Sequence, residues 1–194
     1  MFFLGDQFTE NLQSQPTLNA LAATSKAELK QLRDKLQGVL ADTSILAKQG
    51  KRIENVTLHM PVAVGGFTDY SCSKEHGENA SAAIFGKPVV APSFPYYPIG
   101  YSGRPSSIVV SGTPIRRPCG VYKVDKEIEY GASKQLDYEL EMACIIGKPS
   151  KMGDHVALED ADEHIFGLVL LNDWSGKGLN FSTTSMTWSS CLVH

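Results

Sequence analysis

Three stretches of the chain hold residue types able to do chemistry, and the sharpest is Asp137-Tyr138-Glu139-Leu140-Glu141-Met142-Ala143. On a β-strand successive side chains face opposite sides, so Glu139 and Glu141 point one way. Leu140 and Met142 point the other way, where a core would take them, and Asp137 shares the glutamate face if the strand already begins there. Two carboxylates this close repel, and each raises the other's proton affinity unless a cation sits between them. A hard divalent ion with oxygen ligands is the economical resolution. The plainer alternative is an exposed strand with glutamates on its solvent face, and on this stretch alone that alternative stands.

Asp173 follows the apolar run Leu168-Val169-Leu170-Leu171 and Asn172, which puts a third carboxylate at the end of a buried strand. Asn-Asp is also a common strand-ending turn pair. Asp69 and His76 form the third element, a carboxylate on a loop and a histidine on the helix that follows. An imidazole is suited to taking a proton from water near neutral pH. Spacing alone does not separate His76 from His59, His155, His164 and His194, which read as ordinary surface or core histidines. Arg116-Arg117 can bind an anion or anchor a loop, and both readings stay open. There is no G-x-S-x-G, no P-loop and no G-x-G-x-x-G, so serine-nucleophile chemistry and nucleotide binding are disfavoured.

The bulk properties narrow the setting without choosing a reaction. Of 194 residues, 42 % are hydrophobic and 20 % charged, which is globular composition and argues against disorder. A formal net charge of -3 gives no electrostatic case for nucleic acid or an acidic membrane surface. No apolar run is long enough to span a bilayer, and Met1 to Phe8 lacks the basic and apolar regions of a signal peptide. Cys72, Cys119, Cys144 and Cys191 show no C-x-x-C spacing, so reduced thiols and a cytoplasmic location are expected.

The elements that must position these residues read as mainly β with helices, an α+β chain. Ser25 to Val39 is an amphipathic helix, with Ser25 and Glu28 forming a capping box and Leu29, Leu32, Leu36, Val39 and Leu40 at helical spacing. Val56 to Val64 alternates like a strand, with Pro61 placing it at an edge or a break. Ser73 caps a short helix carrying His76. Lys87 to Pro105 reads as an ordered, irregular loop, and Ser107 to Ser111 as a short strand. Leu136 to Ile146 and Ile165 to Leu171 are the two best strands, with one helical turn at Glu159 to His164 between them. No period survives after Gly176, which reads as a poorly packed tail.

Taken together, four stretches resemble the fumarylacetoacetase family: FTDYSCSKEH, YPIGYSGRPSSIVVSGTPIRRPCG, YGASKQLDYELEMACIIG and EHIFGLVLLNDWS. The likeness runs from about Gln15 to Ser175. It implies a β-rich catalytic fold, dimeric in the family, that follows a small SH3-like N-terminal domain. On that basis residues 1–55 are a helical remnant of the N-terminal domain and linker, 56–175 the first part of the catalytic domain, and 176–194 a divergent tail. The resemblance matches Asp69, Glu139, Glu141 and Asp173 to metal ligands for Ca2+ or Mg2+, His76 to the catalytic histidine, and Ser71 and Tyr101 to substrate-binding positions. It implies hydrolysis of the carbon–carbon bond of fumarylacetoacetate, in tyrosine and phenylalanine catabolism, with no nucleic-acid or membrane partner.

The departures are equally specific. A substrate-contacting tyrosine of the family falls at Ser71, and a carboxylate-gripping arginine falls near Phe85 or Gly86, with no arginine nearby. Lys177 stands at a family arginine position, and the family's later site residues have no counterpart here. Two alternatives to the family activity therefore stay open, a catalytically inactive metal-binding fragment and a hydrolase of another diketo acid.

Overall fold

The computed structural model describes residues 15–49, 57–124, 127–177 and 189–193. These fall into two compact units, one formed by residues 64–108 and the other by the described residues on either side of that segment. Helices and antiparallel sheets together make the chain α+β, as expected.

The flanking unit begins with helices α1 (Asn19–Ala22), α2 (Lys26–Ala41) and α3 (Thr43–Gln49). The capping box at the start of α2 is complete. Glu28 donates its backbone N–H to Ser25 Oγ at 3.3 Å, and Ser25 donates its own N–H to Glu28 Oε2 at 3.0 Å. The Ser25 hydroxyl, which donates to the same Oε2 at 2.7 Å, and the Ser25 backbone N–H together hold the Glu28 carboxyl below the usual range for a glutamate. Leu32 is buried, whereas Leu36 and Leu40 on the same expected stripe are exposed.

The strand expected over Val56 to Val64 does not form among residues 57–64. Its hydrogen-bonding groups are committed elsewhere. Asn19 accepts the Ala63 N–H at 2.8 Å and donates Nδ2 to the Ala63 carbonyl at 2.9 Å, while the Leu18 N–H reaches the Pro61 carbonyl. With Pro61 contributing no N–H, little remains for a ladder.

Five strands of this unit form one sheet: β3 (Val109–Val110), β6 (Gln135–Asp137), β7 (Leu140–Ile146), β8 (Ile165–Lys177) and β9 (Ser189–Val193). A separate antiparallel pair comprises β4 (Cys119–Val124) and β5 (Glu127–Ala132). β8 is the organising strand, pairing antiparallel with β6, β7 and β9, while β9 also runs parallel to β3. The turn expected between β7 and β8 appears as a 3-10 turn, Leu158–Asp160, leading into α5 (Ala161–His164). Of the tail expected over 176–194, β9 pairs through its backbone, and residues 178–188 and 194 lie outside the described ones.

One expectation about this sheet reverses. Leu140 is 72 % and Met142 65 % exposed, so their side of β7 is not the covered one among the described residues. Alternation dictates that the glutamates and the apolar residues face opposite ways, but not which face is packed. The packed face belongs to Leu171, Asp173 and Ser175 of β8, at 2 %, 3 % and 9 % exposure.

After β7 the chain turns at Gly147, whose N–H donates to the His164 carbonyl at 2.9 Å. A Cβ at this position would meet the backbone carbonyl oxygen of Ala22. Backbone cannot swing aside as a side-chain tip can. Gly147→Ala is therefore expected to destabilise the chain by about 1–3 kcal/mol, read as a lower denaturation midpoint in urea. An unchanged midpoint would mean that the N-terminal helices are not seated on this turn.

The second unit holds β1 (Thr68–Ser71) antiparallel to β2 (Ile99–Ser102), and α4 (Lys74–Phe85). Ser73 caps α4 by accepting the His76 N–H at 3.2 Å, and Gly86, at φ 74°, closes it in the left-handed conformation that favours glycine. The region read as loop over 87–105 is ordered by α4. Ser81 Oγ accepts the Val89 N–H at 2.8 Å, and Gly77 leaves room for Val90 and Phe94. Strand β2 lies inside that stretch, and Asp69 therefore sits on a strand instead of the expected loop. The strand expected at Ser107 to Ser111 is reduced to β3, because Pro105–Ser107 forms a 3-10 turn.

Candidate metal centre

The sheet supplies three carboxylates from neighbouring strands. β6 and β7 keep a single register against β8, with Asp137 opposite Ser175 and Leu140 opposite Asn172. That register sets Glu139 opposite Asp173, and the Asp173 N–H donates to the Glu139 carbonyl at 2.9 Å. Glu141, two residues along β7 and opposite Leu171, shares the face. Asp137 lies on the same side by parity, but its carboxylate is exposed and accepts the neighbouring Tyr138 N–H at 3.0 Å.

The expected strand over Leu136 to Ile146 is thus interrupted at Tyr138-Glu139, between β6 and β7. There the Glu139 N–H turns to the side chain of Asn172, Oδ1 at 3.3 Å. Asn172 was legible in the sequence only as half of a turn pair. Its role at this break comes from an amide placed across the ladder from Leu140, in an otherwise apolar run. A carboxylate as buried as Asp173 is costly without compensating partners. Carboxylate oxygens such as those of Glu141 and Asp173 suit a hard divalent cation better than a soft transition metal.

The second unit carries the other candidates. Asp69 on β1 stands directly opposite Tyr101 on β2, and the Tyr101 hydroxyl donates to Asp69 Oδ2 at 2.6 Å. Ser71, two residues along β1, shares their face and has no aromatic ring to offer. His76 occupies the first turn of α4 with an exposed side chain. Among the other histidines, His164 is engaged structurally, with Nδ1 at 2.8 Å from the Lys148 carbonyl oxygen. His59 and His155 are exposed, and His194 lies outside the described residues.

Of the two readings of Arg116-Arg117, Arg117 anchors a loop, donating Nη1 to the Ser133 carbonyl at 2.9 Å. Ser133 is itself buried and bonded to the Gln135 carbonyl. The partner is backbone and not a carboxylate, which sequence alone gave no means to foresee.

The α+β chain carries carboxylates on its sheet and, in its second unit, an Asp–Tyr pair and a histidine-bearing helix. The chain belongs to the fumarylacetoacetate hydrolase family, whose model, described as fumarylacetoacetate (FAA) hydrolase C-terminal, matches residues 66–192. Among curated proteins it is similar to the fumarylacetoacetases of Rattus norvegicus and Homo sapiens, each 36 % identical over 92 % of this chain and 49 % of the relative. The fumarylacetoacetase of Dictyostelium discoideum is 38 % identical over 85 % of this chain and 42 % of its own length. The chain thus spans about half the length of the curated relatives it matches. Among the described residues, no helix is long and apolar enough to cross a membrane.

Proposed function

We propose that this chain carries the divalent-cation site and the general base of a hydrolase that cleaves a carbon–carbon bond beside a ketone, with fumarylacetoacetate as substrate. The observation that carries the reading is the carboxylate face of the sheet, where Glu139 lies opposite the buried Asp173 and beside Glu141. In this reading Asp69 is the fourth ligand to Ca2+ or Mg2+, which rests on the resemblance of FTDYSCSKEH to the family. The relatives' shared name, fumarylacetoacetase, supports the choice of substrate.

Hydrolysis of such a bond asks for two things, a water made nucleophilic and a stabilised carbanion leaving group. A bound divalent ion supplies the positive charge that an enolate needs to leave. His76 removes a proton from water as the water oxygen bonds to the carbonyl carbon next to the scissile bond. That carbon–carbon bond then breaks, its electron pair goes to the leaving acetoacetate as an enolate, and protonation completes it. Fumarate is the other product, so one water is consumed and atoms balance. The carboxylates' task is to fix the cation, and Asn172 keeps the break at Glu139 in register.

Ser71 in place of a phenol favours one narrower version, a site with weakened hold on the fumaryl end of the substrate. The test is loss of fumarylacetoacetate absorbance by the purified chain, with Ca2+, with Mg2+ and after chelation. Cation-dependent turnover is the expected result, raised by Ser71→Tyr through a lower KM. Cation binding without any turnover would leave the metal-binding fragment as the correct reading.

A further inference from the structure

Tyr101 and Asp69 are linked more tightly than a shared surface requires. They face each other in the β1–β2 register, and the phenol donates to Asp69 Oδ2 at 2.6 Å, within the range of charge-assisted O–H···O bonds. The ribbon beneath them is braced. On its other face the ring of Tyr70 lies over Gly100, where a Cβ would stand 2.5 Å from Tyr70 Cε1. At its end the Gly103 N–H donates to the Phe67 carbonyl at 2.9 Å. Any side chain at position 100 would have to displace the Tyr70 ring, so glycine keeps this packing possible.

We infer that Tyr101 is a positioning residue for Asp69, holding Oδ2 so that Oδ1 is presented to a divalent cation. This rests on the reading of Asp69 as a cation ligand given above. Ligand carboxylates that are hydrogen-bonded from behind lose less orientational freedom when they take up the ion. A second consequence concerns the substrate. A phenol has one hydrogen. While that hydrogen is on Asp69, Tyr101 meets a substrate as an acceptor and an aromatic edge, and it does not donate to a carbonyl or carboxylate.

The experiment is calorimetric titration of Ca2+ into the chelator-treated chain and into Tyr101→Phe, Asp69→Asn, Glu141→Gln and the double variant Tyr101→Phe/Asp69→Asn. Tyr101→Phe is expected to raise the calcium Kd by about 10-fold, with an unchanged thermal midpoint in the absence of calcium. Near-ultraviolet circular dichroism provides a reading that a purely structural role would not move. Calcium should change a tyrosine band in the parent chain, and that change should be missing from Tyr101→Phe. In the Asp69→Asn background, removing the phenol should have no further effect on Kd.

If Glu141→Gln and Asp69→Asn each weaken binding while Tyr101→Phe binds calcium as the parent does, the positioning role is overturned and the cation site stands. If neither carboxylate variant alters calcium binding, the cation site itself is wrong and the inference falls with it. Should Tyr101→Phe melt earlier than the parent, the double variant still decides, because coupling to Asp69 and general destabilisation then separate.

Discussion

His76→Ala is expected to lower turnover of fumarylacetoacetate by about 10²–10⁴-fold while calcium affinity is unchanged. The two halves of this expectation come from different chemistry. Positioned proton transfer in the transition state accounts for the rate factor, whereas the proposed cation ligands are carboxylates and not an imidazole. His76 is also exposed, on the first turn of α4, so its side chain contributes little packing. The helix start does not depend on the ring, because the cap runs from the His76 backbone N–H to Ser73 Oγ. Alanine is a good helix former, so the variant should fold. Steady-state kinetics beside calorimetry reads both quantities. A variant that turns over at the parent's rate would remove His76 from the mechanism, and one that also loses calcium would make it a ligand.

Asp173→Asn should erase the stabilisation that calcium gives the chain. A ligand bound only by the folded state stabilises it through mass action, by about 2.7 kcal/mol at a hundredfold excess over Kd. For a chain of this size that raises the thermal midpoint by roughly 5–10 °C. Asp173 is the most buried of the proposed ligands on the sheet, at 3 % exposure, and sits across the ladder from Glu139. Asparagine keeps the shape and removes the charge, so packing around Leu171 and Ser175 should survive. Scanning calorimetry of both chains, with calcium and with chelator, makes the comparison. Equal calcium-induced shifts in the two would place the ion elsewhere.

The sequence made some of this legible because certain patterns are local. The capping box at Ser25 and Glu28 and the cap at Ser73 depend on residues three apart, and both occur as read. The shared face of Glu139 and Glu141 follows from strand periodicity alone. What was missed depends on partners distant in sequence. Asp69 reads as a loop residue because its strand partner, Ile99–Ser102, lies inside a proline- and glycine-rich stretch. Val56 to Val64 has strand-like residues, yet Asn19 takes the Ala63 backbone groups that a neighbouring strand would need. The choice of packed face on β7 was open for the same reason, since alternation is symmetric until something covers one side. β9 shows the reverse case, a serine-rich segment with no side-chain period that pairs through backbone groups.

The site was legible in a similar proportion. Alternation puts Glu139 and Glu141 on one face without displacing the solvent-face alternative, and Asp173 stands as a strand-end candidate. The structure adds the bond from the Asp173 N–H to the Glu139 carbonyl. The Tyr101–Asp69 hydrogen bond carries no sequence signal of its own, because it arises only when β1 and β2 pair. Asn172 is hidden likewise, and its amide matters because the backbone ladder breaks at Glu139.

The central claim is that the sheet carboxylates hold a divalent ion, and calcium titration of the chelator-treated chain beside Glu141→Gln tests it most directly. The account predicts saturable binding of a single ion by the parent chain, with a micromolar to millimolar Kd, and its loss in Glu141→Gln. Calcium binding that is equal in the two chains, or absent from the parent, would contradict it.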